Sequence, residues 1–176
     1  KIQICFTGGR LMAINTSKGT LDDPVLQIVR TSSDSFQSGS TNNWNTNPMG
    51  TLSITPKNSG SLIVIMYTAC ISGNMSANDC AIRLLRNGSV IQNANNGRNL
   101  MGAMQSSFIA SNFAGSNCTC TFWDNPNTTG SVGYAVQHRP QTGGGGTMYF
   151  NGTAATGGGD SWGSRSFLTI VEYAQN

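Results

Sequence analysis

"SLIVIMYTACIS", residues 61–72, carries apolar side chains at both parities: Ile63, Ile65, Tyr67, Ala69 and Ile71 at odd positions, Leu62, Val64, Met66 and Cys70 at even ones. The run is rich in β-branched residues and far shorter than the roughly 18–20 residues of a membrane helix, so it reads as a strand. Successive side chains of a strand point to opposite faces, and here both faces are apolar. A sandwich strand with one face in water carries polar residues on that face. Something therefore covers this strand on its second side.

The stretch 165–174 repeats the pattern, with Phe167, Val171 and Tyr173 on one side, Leu168 and Ile170 on the other, and Glu172 as the interruption. A loop or a second layer would cover both strands, but no helical segment is available for it. A subunit interface is the favoured reading, with Ile63, Ile65, Tyr67, Phe167, Ile170 and Tyr173 as its candidate residues.

Outward from these strands, β-branched and aromatic runs recur between Gly, Asn, Ser and Pro clusters, the pattern of an all-β sandwich or barrel. Strands are expected near Val25–Arg30, Thr51–Thr55, Ser61–Ser72, Cys80–Arg86, Val90–Gln92, Gln105–Ala110, Cys118–Trp123, Ser131–Arg139, Thr147–Asn151 and Arg165–Ala174. Asn87-Gly88 is a hairpin turn, because both of its residues tolerate positive φ. "DNPNTTG" after Trp123 is a second turn, since Pro126 cannot continue a ladder. Residues 1–24 fit the sandwich less well and are set apart as an N-terminal arm, leaving 25–176 as one domain.

Composition narrows the function. Charged residues are 10% of the 176, with ten basic against seven acidic and a net charge of +3. The basic residues are scattered, with no cluster to follow a phosphate backbone, so nucleic acid is not expected as a partner. No segment suits a membrane span. The cysteine count is odd, at five, and no leader of the secretory type opens the chain, so the thiols are read as reduced; a Cys70–Cys80 bridge is the alternative.

Chemistry-bearing residues are few. Cys118 and Cys120 share one strand face with Cα atoms roughly 6.6–7 Å apart, at the limit for a disulfide. With the only histidine, His138, they lack the spacing of a zinc site, and no metal or cofactor is expected. "GDSWG", residues 159–163, matches the nucleophile elbow formally, but a glycine loop precedes Ser161 and a strand follows, where the motif needs a strand and then a helix. Asp124 and Asp160 are the acid pair a glycosidase would need, yet single Asp residues beside Gly, Asn and Pro are ordinarily turn formers. No catalytic residue is assigned. Trp44 and Trp162 lie in polar loops beside Asn45 and Asp160, and this set is the candidate contact for a receptor or glycan.

The ordered segments "GTLSITPKNSGSLIVIMYTACISG", "AIRLLRNGSVI", "CTFWDNPNTTGSVGYAVQHR", "GGGGTMYFN" and "SRSFLTIVEYA" resemble jelly-roll domains in structural proteins of tailed bacteriophages. The shared features are Ile54-Thr55-Pro56 at a strand end, Arg83 to Arg86 leading into a hairpin, Phe122 to Thr128, and the closing Thr169 to Glu172. They fall within residues 50–174, about 70% of the chain. The chain departs from the family in its many cysteines and in an arm without a coiled coil or shaft.

The resemblance implies a jelly-roll β-sandwich of about 8–10 antiparallel strands, trimeric in the manner of tumour necrosis factor. It implies a virion surface protein without catalysis, made in the bacterial cytoplasm. The favoured role is a capsid decoration or cement protein that stabilises neighbouring capsid subunits, with the major capsid protein or fibre and tail components as partners. The alternatives are a fibre-tip knob recognising a host surface glycan or protein, and a lectin-like domain or glycoside hydrolase.

Overall fold

The computed structural model describes residues 6–7, 10–11, 15–16, 19–20, 25–40, 43–74, 79–91, 103–105, 115–141, 147–152 and 164–175. All regular structure among them is β. In chain order the strands are β1 Phe6–Thr7, β2 Arg10–Leu11, β3 Asn15–Thr16, β4 Gly19–Thr20, β5 Val25–Ser33, β6 Gln37–Ser40, β7 Asn45–Ile54, β8 Leu62–Asn74, β9 Asp79–Arg86, β10 Ser89–Val90, β11 Ala103–Gln105, β12 Gly115–Asp124, β13 Val132–Gln141, β14 Thr147–Phe150 and β15 Ser166–Tyr173.

The opening stretch is the axis of the larger sheet. One edge of β8 pairs with β12 from Ile63 to Ser72; the other pairs with β15 from Leu62 to Thr68 and then with β14 from Ile71 to Asn74. Strands β5 and β6 continue outward from β15 and β14. Six strands thus make a sheet four strands wide. The second sheet places β13 between β7 and β9, with β10 and β11 sharing the far edge of β9. All pairings are antiparallel, and the two sheets stack as a sandwich. The short pairs β1–β2 and β3–β4 bond only to each other among the described residues.

The core is the set of inward parities. Ile63, Ile65, Tyr67, Ala69 and Ile71 of β8, Leu168 and Ile170 of β15, Phe122 of β12, and Met148 and Phe150 of β14 meet Ile82, Leu84, Val132, Tyr134, Val136 and Ile54 of the other sheet. Each large side chain withdrawn from water contributes roughly 1.5–3 kcal/mol.

Most expected strands are present with shifted ends. At the Asn87-Gly88 turn both residues have positive φ, 49° and 80°, as the hairpin requires. Two strand segments depart from expectation. β6 is Gln-Ser-Gly-Ser and has no apolar periodicity to read; its Gly39 lies where a Cβ would come within 2.5 Å of the Asn45 side chain. The first half of β7 contains Pro48 and Gly50, both strand breakers. It is held by a side chain instead: Asn47 donates from Nδ2 to the Val136 carbonyl and accepts the Met49 amide on Oδ1, at a point where the β7–β13 register shifts. Of the expected strand Gln105–Ala110, residues 106–110 lie outside the described residues.

Candidate functional site

The register places a continuous apolar row across the outer face of the six-stranded sheet: Trp123 of β12, Val64 of β8, Val171 of β15 and Ile28 of β5 are successive neighbours. Beside it runs Thr121–Met66–Thr169–Arg30, and beyond that Thr119–Thr68–Phe167–Ser32. On the other side Leu62, Tyr173 and Val25 complete the face. The exposed large hydrophobic residues of the described chain are Trp123 at 63%, Ile28 at 62%, Val25 at 49% and Met66 at 41%, and all four lie here. The one charge among these residues, the Arg30 guanidinium, lies 4.7 Å above the Phe167 ring.

The candidate interface set drawn from the sequence mixes the two faces of the sheet. Ile63, Ile65, Tyr67 and Ile170 have no exposed surface; they are core, and a side chain fully covered by its own chain has nothing to offer a neighbour. Phe167 and Tyr173 do lie on the outer face. Parity alone could not separate the faces, because both are apolar. Trp123, Met66 and Ile28 were missed as surface residues, although Trp123 alternates with inward Phe122 and shares the outer parity of Thr119 and Thr121.

The receptor set divides as well. Trp44 is half-buried, and the Arg83 guanidinium sits 4.1 Å over its ring. Arg83 in turn donates from Nε and Nη2 to Gln137 Oε1, and Gln137 Nε2 donates to Thr46 Oγ1. Burial, with the nearby Arg139 charge as a smaller cause, lowers the Arg83 pKa. Asn45 donates to the Asn43 carbonyl. Asp160 and Trp162 lie outside the described residues, as does Ser161.

Among the described residues, Glu172, Asp124 and His138 are engaged within the fold. Glu172, fully buried, receives four hydrogen bonds: Lys57 N, Asn58 N and Ser61 Oγ donate to Oε1, and Gln27 Nε2 donates to Oε2. Burial pushes its pKa up, but these bonds together outweigh burial and hold it below the ordinary value. Asp124 accepts Arg86 Nη1 on both oxygens at 3.1 Å and Tyr134 Oη at 2.7 Å, joining β12 of one sheet to β9 and β13 of the other. Burial first, and then the Asp124 carboxylate, raises the Tyr134 pKa.

His138 is buried without exposed surface, its Nε2 2.6 Å from Tyr67 Oη and its ring edge-on to Phe150. Burial pushes it down to about 3, so it is a neutral imidazole inside the core. It has no open side from which to serve a surface serine. Cys70 is not in a disulfide, which removes the alternative bridge to Cys80. Among the described residues no three metal-ligating side chains form a cluster.

No protein-family model matches the chain, and no protein of curated function matches it. Among solved structures it is similar to the structure of the infectious bursal disease virus Gx strain, at 10% identity and a TM-score of 0.37, over 97% of this chain and 40% of that one. It is also similar to the VP2 subviral particle of infectious bursal disease virus, at 10% identity and a TM-score of 0.36, over 97% of this chain and 43% of that one. The chain spans less than half the length of either solved chain.

Proposed function

We propose that this protein is a non-catalytic structural component of a virion surface, a trimeric capsid decoration or cement protein of a tailed phage. The observation that carries the reading is the outer face of the six-stranded sheet, where the exposed Trp123, Ile28, Val25 and Met66 gather around a single ring-stacked cation. Contiguous apolar surface of this kind serves association. Three copies meeting by this face around a common axis would cover it. The ordered sequence resemblance to phage jelly-roll domains supports the virion setting. Carboxylates and an imidazole tied into intramolecular bonds suit a protein that works through surfaces. In this reading residues 1–24 reach to neighbouring virion subunits.

The test is the native mass of the purified chain by light scattering. We expect about three times the 18.5 kDa chain mass, and attachment to capsids that weakens when residues 1–14 are removed. A stable monomer at micromolar concentration overturns the assembly. A trimer that binds host cells and not capsids would replace the decoration role with that of a fibre-tip knob.

A further inference from the structure

The outer face of the smaller sheet carries charge where that of the larger sheet carries apolar surface. Ile82, Leu84, Val136 and His138 point into the core, so the alternate positions of β9 and β13 point out. The register sets Thr46, Gln137 and Arg83 in one outward row and Arg139 beside Ala81 in the next, with Trp44 two residues before Thr46. Arg83 is held in place by its own fold: Nε and Nη2 donate to Gln137 Oε1, and the guanidinium lies 4.1 Å over the Trp44 ring. Its Nη1 has no hydrogen-bond partner among the described residues. Arg139, exposed, has none either, and neither arginine belongs to an ion pair there. Burial first, and then the Arg139 charge, lowers the Arg83 pKa, which marks the two cations as neighbours. Arg86, the other arginine of these strands, is by contrast paired with Asp124. The one acidic residue in β7, β9 and β13 is Asp79, at the register position beyond Ala81, so the outward rows keep a net positive charge.

We propose that Arg83 and Arg139 form a binding site for an acidic saccharide, a sugar ring bearing a carboxylate, on the outer face of the smaller sheet. Two neighbouring cations without a counter-ion repel each other. A carboxylate set between Arg83 Nη1 and the Arg139 guanidinium relieves that repulsion through charge-assisted hydrogen bonds. A guanidinium already pinned by an amide and a ring loses little freedom when it binds. The surroundings specify a sugar. Trp44 is half-buried and leaves part of its ring for stacking, and the stretch "NNWNTN", residues 42–47, brings neutral amides and a hydroxyl of the kind that sugar hydroxyls pair with. A phosphodiester chain would call for a longer run of cations than this pair. The inference goes beyond the virion reading and does not depend on it, since association through the larger sheet leaves this face open.

The experiment is isothermal titration calorimetry of the full chain with tetragalacturonate and with 3′-sialyllactose, each beside its neutral counterpart in which the carboxyl group is reduced to an alcohol. One site per chain is expected for at least one acidic probe, with no binding of the neutral counterparts and an affinity that falls as salt is raised. Arg139→Gln should weaken binding about tenfold or more while native mass and thermal melt stay unchanged. Arg83→Gln should do the same to binding. Arg83→Lys, which keeps the charge but not the fork to Gln137, supplies a second variant in case the glutamine disturbs folding, and circular dichroism checks each protein. Silence from both acidic probes at millimolar concentration, equal binding of the neutral counterparts, displacement by inorganic phosphate at equal concentration, or undiminished binding by folded Arg83 and Arg139 variants overturns the proposal. Native mass of the same samples tests the virion assembly separately.

Discussion

Among the described residues, His138 and Glu172 are two fully buried groups through which the fold senses acid, and they do so in separate windows. The His138 pKa falls from an unfolded value near 6.5 to about 3 in the core. Between those values the unfolded chain binds the proton and the folded chain does not, so stability rises with pH. It is lost as pH drops from about 6.5 toward 3, at ~1.4 kcal/mol per unit for the one site. Glu172, with its pKa lowered, also contributes stability that disappears in acid, but only below its unfolded value of 4.5. Urea unfolding between pH 6.5 and 5 should therefore show a slope that Tyr67→Phe/His138→Phe removes and Glu172→Gln leaves. At neutral pH, Glu172→Gln should cost about 2–3 kcal/mol, because an amide cannot accept on both sides from four donors; thermal melts measure it. None of this was legible in the sequence. Glu172 read as an interruption in an apolar strand, and nothing local announces that Ser61 and Gln27, each over a hundred residues away, meet it.

At the scale of elements, the strands that could be read were those whose side chains carry the information. β8 and β15 were visible because packing dictates their residues. β6 and the first half of β7 were not, because Asn47, Asn45 and Gly39 hold them by side-chain hydrogen bonding and close approach. The resemblance motifs gain a physical meaning here. Arg86 and Asp124 come from two of them and, with Tyr134, bolt the sheets together at one end. Asp124→Ala should destabilise the domain by about 2–3 kcal/mol, since it leaves Arg86 and Tyr134 without their acceptor in a part-buried setting; chemical denaturation gives the value. Gly88→Val, at φ +80°, should cost about 1–2 kcal/mol at the β9–β10 turn, read in the same assay.

For the whole molecule, the two faces of β8 make opposite predictions from similar substitutions. Ile63→Asp puts a charge among fully buried side chains and should abolish cooperative unfolding. Met66→Asp or Trp123→Asp puts a charge on the outer face and should leave a folded chain that runs as a monomer in light scattering. A monomeric wild type, or an unfolded Trp123→Asp, would contradict the assignment of faces to roles. The position of β15 carries a further consequence, for the order in which the chain can fold. Its ladder joins Tyr173 to Val25 on one edge and to Leu62 on the other, so the larger sheet is spliced from β5, early in the chain, and the last described strand. Until residues 166–173 are free to insert, β5 has no neighbour in that sheet and β8 offers a bare edge from Leu62 to Thr68. Sheet closure then waits on contacts of very long sequence separation, which makes folding slow and leaves a β-rich intermediate open to pairing with other chains. A nascent chain stalled before residue 166 would be sticky rather than inert.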